Sequence, residues 1–431
     1  MPPATADMEP LLSTPIRIIA LTALLAGLAV PAPAQEWNRD IRVGNLVDYS
    51  GRTSVLGRKY GEGKADAVRY INAHGGINGL LIDLLTVDYA YVLPQAVNAY
   101  NDWMANGGVA AIQGWGMADV KGLKDLVTRD QVPYFSAGFD AERLATDTPP
   151  DSAADEGTPY HFFVGPSAVD GLYAMLEWAA SDWQAGGHAD KATYLHMGDG
   201  SEFAMLGKAP GEARAWDLGF QVYSSLRYGT PDENKTACQG LAAAGIDYAY
   251  LANTGDSNTR LIKTCREMGV TTRFMTNVWG FDEQMLDTLG TAADGVVWVM
   301  ATAAWGEDVP GMALLRDIAT WAGHEGPRSI HYIQGVCAVY FMKEAMERAS
   351  FMPGGETGPN IRAGMYEQTA WAPLGLKGVC NPGTWMPGDH RGIDTIWVYM
   401  AHVGDDARSM ERVYTASLSR PAPAVPQKAD H

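Results

Sequence analysis

The residues in this 431-residue chain whose types and spacing suit chemistry are aromatic rather than nucleophilic. Trp115, Trp279 and Trp305 each stand just after a short apolar run, and Phe139 and Phe203 occupy similar places. Ring faces of this kind stack on apolar or aromatic solutes and attract cations, so the set points to recognition of a small molecule. Each ring taken alone also suits packing at the base of a loop, because Trp is mostly buried. Asp140 suits pairing with a cation or accepting from a hydroxyl, and it equally suits capping a helix that begins at Ala141.

Patterns for bond-making chemistry fail one by one. Residues 57–65 resemble a phosphate loop, but Arg58 stands where the spacing needs Gly and Ala65 where Ser or Thr holds magnesium. Gly114-Trp115-Gly116 lacks the third Gly of a dinucleotide fingerprint. His324-Glu325 has no second His four residues on, and Gly198-Asp199-Gly200-Ser201-Glu202 is not a nucleophile elbow. The four cysteines, Cys238, Cys265, Cys337 and Cys380, form no CxxC pair, which argues against zinc or a redox dithiol. The expectation is therefore a binding protein with no catalytic residues, no metal and no cofactor.

Bulk properties narrow the class. A net charge of -18 argues against nucleic acid, whose phosphates need clustered Lys and Arg. Arg17, an apolar run over 18–30 and Ala32-Pro33-Ala34 read as a secretory signal peptide over 1–34, cleaved before Gln35. Met8 offers an alternative start, and no Cys follows the run to carry a lipid anchor. The expected location is the periplasm. An even number of cysteines in an exported chain favours disulfides, with three connectivities open.

The elements that position these residues alternate. Strand patterns over 41–47, 80–88, 109–113 and 132–136 are interleaved with helical spacing over 57–72, 94–106 and 120–129. A second series follows, with strands at 192–196, 219–224, 248–252, 273–276 and 295–301. The helices between them fall at 170–183, 205–217, 234–244 and 257–268. Alternation of this kind implies α/β architecture with mainly parallel sheets. In such sheets ligands sit beyond the carboxyl ends of the strands, where strand order switches. That rule selects residues 48–54, 114–119, 137–140, 197–203, 253–257, 277–280 and 302–305.

At Ile41-Arg42-Val43-Gly44, Ser50-Gly51, Ile71-Asn72-Ala73-His74-Gly75-Gly76-Ile77-Asn78-Gly79 and Pro94-Gln95-Ala96-Val97 the chain resembles the leucine/isoleucine/valine-binding family of periplasmic receptors. The likeness continues at Gln131-Val132-Pro133-Tyr134-Phe135-Ser136-Ala137, at Ala145-Thr146 and over 332–345. It implies the type I periplasmic-binding-protein fold: two doubly wound lobes joined by a three-stranded hinge and closing on a ligand. Lobe one is expected at 36–163 plus 296–388, lobe two at 164–295 plus 389–415, and a disordered tail at 416–431. The implied role is the solute receptor of an ABC importer. Its expected partners are a small molecule and an inner-membrane permease, and it is expected to be a monomer. Alternatives are an amino-acid or amide binder with altered contacts, and a sensor presenting its ligand to a membrane receptor.

The family's ligand residues transfer poorly. Its amino-acid binders hold the α-carboxylate with a Ser after the third strand and an Ala/Thr pair after the fourth. The matching stretches here are Gly116-Met117-Ala118 and Gly138-Phe139-Asp140, so Met117 replaces the Ser and Asp140 the Thr. An ionised Asp140 repels a carboxylate, which argues against a free amino acid. In lobe two, Phe203 and Thr254 fall near family Tyr positions and Val278 near the Glu that holds the α-amino group. The aromatic set is expected to replace these contacts. Within the implied lobes the pairing expected is Cys238–Cys265 and Cys337–Cys380, which leaves the hinge free.

Overall fold

Alternating and continuous apolar runs become two mainly parallel sheets in the computed structural model, which describes residues 40–137, 158–404 and 407–418. The predicted signal peptide, Gly138, Phe139 and Asp140 lie outside the described residues. In the first sheet β1 (Ile41–Val47) is flanked by β2 (Ile82–Asp88) and β3 (Ala111–Gln113), followed by β4 (Tyr134–Ser136) and β5 (His161–Phe163). The order is β2-β1-β3-β4-β5, all parallel, with Val43 level with both Leu84 and Ala111. Apart from Arg42, every residue of β1 is buried, because helices cover both faces.

The second sheet repeats the winding. It contains β6 (Thr193–Gly198), β7 (Gln221–Val222), β8 (Leu226–Arg227), β9 (Tyr248–Leu251), β10 (Arg273–Thr276) and β11 (Val297–Met300), in the order β7-β6-β9-β10-β11, with β8 also on β6. Two long antiparallel strands, β14 (Thr395–Val403) and β15 (Arg408–Ser417), extend it beyond β11. A separate ribbon pairs β12 (Gly383–Met386) with β13 (Asp389–Ile393).

Several expected boundaries move. β11 hydrogen-bonds to β10 and β14, so the stretch from 296 begins in the second sheet and reaches the first lobe only after Met300. Residues 389–393 belong with the first sheet instead of the second. The Trp385 indole N–H donates to the Phe163 carbonyl, and His390 Nδ1 meets the His161 carbonyl, which seats the ribbon on β5. The expected tail starts too early, since Ala416 is buried and pairs with Ile396. The single helix expected over 205–217 is two, Glu202–Met205 and Lys208–Asp217, broken where Gly207 takes φ 76°.

Helix α1 (Ser54–Ala73) crosses the Ile330–Ser350 helix at two glycines. A Cβ on Gly63 would lie 2.0 Å from the Tyr332 carbonyl oxygen, and one on Gly335 2.2 Å from that of Tyr60. Only hydrogens fit there, so both positions need glycine. The disulfides are Cys238–Cys265 and Cys337–Cys380, with Cα separations of 5.0 and 5.7 Å, as the sequence reading expected. Among the described residues, no helix is long and apolar enough to cross a membrane.

Candidate functional site

Both sheets reverse their winding beside the first strand, and the two reversals face one cleft of about 580 Å³. In the first sheet the reversal lies between β1 and β3, where ligands of doubly wound folds bind. Asp48, just after β1, accepts from the N–H groups of Gly51 and Thr53 and from the Thr53 hydroxyl. Thr53 Oγ1 in turn accepts the Trp115 indole N–H at 2.8 Å, which ties the β1 loop to the β3 loop. Asp119, in the first turn of the Met117–Arg129 helix, accepts from the N–H groups of Trp115 and Gly116 and from the hydroxyls of Tyr89 and Tyr134. That buried carboxylate fixes the loop carrying Trp115, and burial, reinforced by its charge, holds both tyrosine hydroxyls far above their ordinary pKa.

The second reversal lies between β6 and β9. Asn253 Oδ1 accepts the Asp199 N–H, and its side-chain amide reaches Ser257 Oγ, so one asparagine joins the two loops. Asn277 Oδ1 accepts the Trp279 N–H, while its amide donates to the carbonyls of Ala252 and Asn253. Trp279 is thereby aimed from lobe two at lobe one. Its ring meets Trp115 edge-on at 5.3 Å and stacks on His331 at 5.3 Å with planes 17° apart.

The lobes are in contact around this aromatic junction. Lys59 of α1 pairs with Asp282 at 3.0 Å, the Ile330 N–H donates to Glu283 Oε1, and Lys121 pairs with Glu202 at the mouth. Burial pushes Glu283 up to about 7 and holds His331 below its ordinary range despite the nearby Asp282 carboxylate. Behind the site, the Lys64 ammonium is fully buried and donates to the carbonyls of Leu46 and Gly114 at 2.9 and 3.1 Å. Burial lowers it to about 7, against an upward pull from Asp119.

Of the residues expected at the site, Trp115, Gly116, Met117, Ala118, Phe203, Thr254 and Trp279 line this cleft together. Trp305 does not. After β11 the chain turns back toward the first lobe, the Ala303 N–H bonds to the Val379 carbonyl, and Trp305 packs half-buried on the core. Val278 is buried in the core and is not among the lining residues. Arg52, Thr53, Ser201 and Ser257 line the cleft and lie in the segments selected by the strand-end rule, but were not singled out there. Tyr91, beyond the carboxyl end of β2, was missed altogether, although the same rule extended to β2 reaches it. Among the described residues, no cluster of three His, Cys, Asp or Glu is placed to hold a metal. An apolar wall with a few converging polar groups can hold and orient a small solute.

Comparison with known proteins agrees with this architecture. An amino acid binding protein of Pseudomonas aeruginosa is 24% identical over 271 residues, which span 60% of this chain and 65% of that relative. The crystal structure of a branched-chain amino acid ABC transporter protein from Thermus thermophilus with bound valine superposes with a TM-score of 0.76 at 18% identity, covering 88% of this chain and 97% of that one. An R. palustris solute-binding protein in complex with benzoate gives 0.68 at 14% identity, over 88% and 98%. At such identities the structures establish the fold. The family model described as periplasmic binding protein matches residues 40–407, and the chain belongs to that family.

Proposed function

We propose that this protein is the solute receptor of an ABC importer, which captures a small, largely apolar or aromatic molecule between its lobes and passes it unchanged to an inner-membrane permease. The observation that carries this reading is the meeting of Trp115 from lobe one with Trp279 from lobe two on the wall of a single cleft. A cavity of about 580 Å³ suits a compact solute. Met117, Phe203, Leu56 and Val120 complete the apolar lining, and Met117 stands where amino-acid binders carry a carboxylate-holding Ser. Export through the leader at 1–34 with cleavage before Gln35, and action as a monomer, complete the proposal.

Tryptophan fluorescence tests it. A panel of aromatic and alicyclic solutes titrated into the mature chain is expected to change the emission with saturable binding. Trp115→Ala and Trp279→Ala are each expected to weaken that binding at least about tenfold, since stacked rings contribute about 0.5–1.5 kcal/mol beyond the area they bury. Affinities within a factor of about two for both variants would assign the rings a purely structural role, because a tenfold change corresponds to only about 1.4 kcal/mol.

A further inference from the structure

We propose that Arg52 is the anion anchor of the cleft, and that the solute is an apolar molecule with a single acidic head group. This rests on the cleft being the solute site and adds the charge class. Arg52 lines the cleft beyond β1, with its guanidinium 4.4 Å from the centre of the Tyr91 ring. Among the described residues the cleft's other cation, Lys121, is paired with Glu202, and Lys59 beside the cleft is paired with Asp282. No described residue accepts a hydrogen bond from the Arg52 guanidinium or forms an ion pair with it. A guanidinium held by attraction to a ring face spends none of its N–H groups on a hydrogen-bond acceptor there, which leaves its fork available to a carboxylate.

The ring beneath it is built into place. Ala90 and Tyr91 take φ 50° and 59°, two successive side-chain-bearing residues in the left-handed region. That backbone costs energy and is kept where the surroundings enforce it. Asp88 enforces it by accepting from the N–H groups of Tyr49 and Ala90. Two glycines make room: a Cβ on Gly51 would lie 2.1 Å from the Ala90 carbonyl oxygen, and one on Gly116 2.7 Å from the Tyr91 ring. The anchor therefore sits beyond β1 and β2, across the reversal from the β3 and β4 loops used by the amino-acid binders. Among the described residues the cleft's carboxylates, Asp199 and Glu202, come from lobe two, and Asp140, expected on the β4 loop, lies outside the described residues. Asp199 accepts the Ser201 N–H, and Glu202 is paired with Lys121. The cleft is also lined by Trp115, Met117, Phe203 and Trp279, so among the described residues a ligand meets one unpaired cation beside a broad apolar surface.

Calorimetry on the mature chain with benzoate, cyclohexanecarboxylate and indole-3-acetate, each beside its primary amide, tests the anchor. The wild type is expected to bind at least one acid about tenfold or more tightly than its amide. Arg52→Gln is expected to reduce the acid-over-amide preference to about twofold or less, and Arg52→Lys to restore part of it. Equal binding of acids and amides by the wild type, or acid affinity unchanged in Arg52→Gln, overturns the anchor and leaves the aromatic cleft standing. Failure of every acid and every amide to bind overturns both.

Discussion

Replacing Lys64 by Met probes the support beneath Trp115. The Lys64 ammonium is fully buried, bonds the carbonyls of Leu46 and Gly114, and is pushed down to about 7 by burial. An unfolded lysine titrates near about 10.4. Between about pH 7 and 10 the unfolded chain therefore holds a proton at this site that the folded chain has released. Stability gains up to about 1.4 kcal/mol per pH unit across that window as pH rises, and the contribution is flat below it. Other groups titrate in the same range, so the informative quantity is the difference between wild type and Lys64→Met. Urea unfolding of both proteins at pH 6, 7, 8 and 9, read by fluorescence, is expected to show the wild type gaining on the variant by about 2 kcal/mol between pH 7 and 9. At pH 6 the two hydrogen bonds lost and the burial cost removed oppose each other, so the variant still folds. Parallel pH profiles for the two proteins would refute the argument that burial depresses this lysine.

Three further outcomes follow from the same structure. Leucine, isoleucine and valine are expected to bind no more tightly than about 100 μM by calorimetry, near -5.5 kcal/mol, because the family resemblance puts Met117 and Val278 at the positions of the hydroxyl and carboxylate that hold the amino acid; micromolar binding of any of them contradicts this. Removing Cys238–Cys265 or Cys337–Cys380 by paired Cys→Ser substitution is expected to cost about 3–4 kcal/mol each in urea unfolding, from release of loops of 27 and 43 residues. Glu283 is raised to about 7, so its closed, buried form takes up a proton that the exposed form binds only near pH 4. Its contribution is full below about pH 4 and is lost as pH rises through 7. Glu283→Gln keeps an acceptor for the Ile330 N–H, so its unfolding midpoint relative to wild type is expected to be higher at pH 8 than at pH 5.

Much of the fold was legible because burial on both faces writes continuous apolar runs into parallel strands, as in β1 and β9. Trp115 and Trp279 were legible through the rule that ligands meet strand ends. The failures have local causes. Tyr91 reaches the cleft through a left-handed turn at Ala90 and Tyr91, which residue types favouring φ < 0 do not advertise. Arg52 gains meaning only from the ring beneath it. Trp305 follows a strand end like the other two, but β11 is the point where the chain leaves its lobe, and long-range pairing to Val379 decides where that loop goes. The β12–β13 ribbon sits on β5 through Trp385 and His390, contacts more than 200 residues apart in sequence.

The measurement that tests the central claim most directly is mass spectrometry of the solute released by denaturing protein purified gently from the periplasm. A small molecule with an aromatic or apolar body is expected, retained by the wild type and absent from protein carrying both Trp115→Ala and Trp279→Ala. Recovery of a free branched-chain amino acid, a sugar or another strongly polar solute, or equal retention by the double variant, would contradict it.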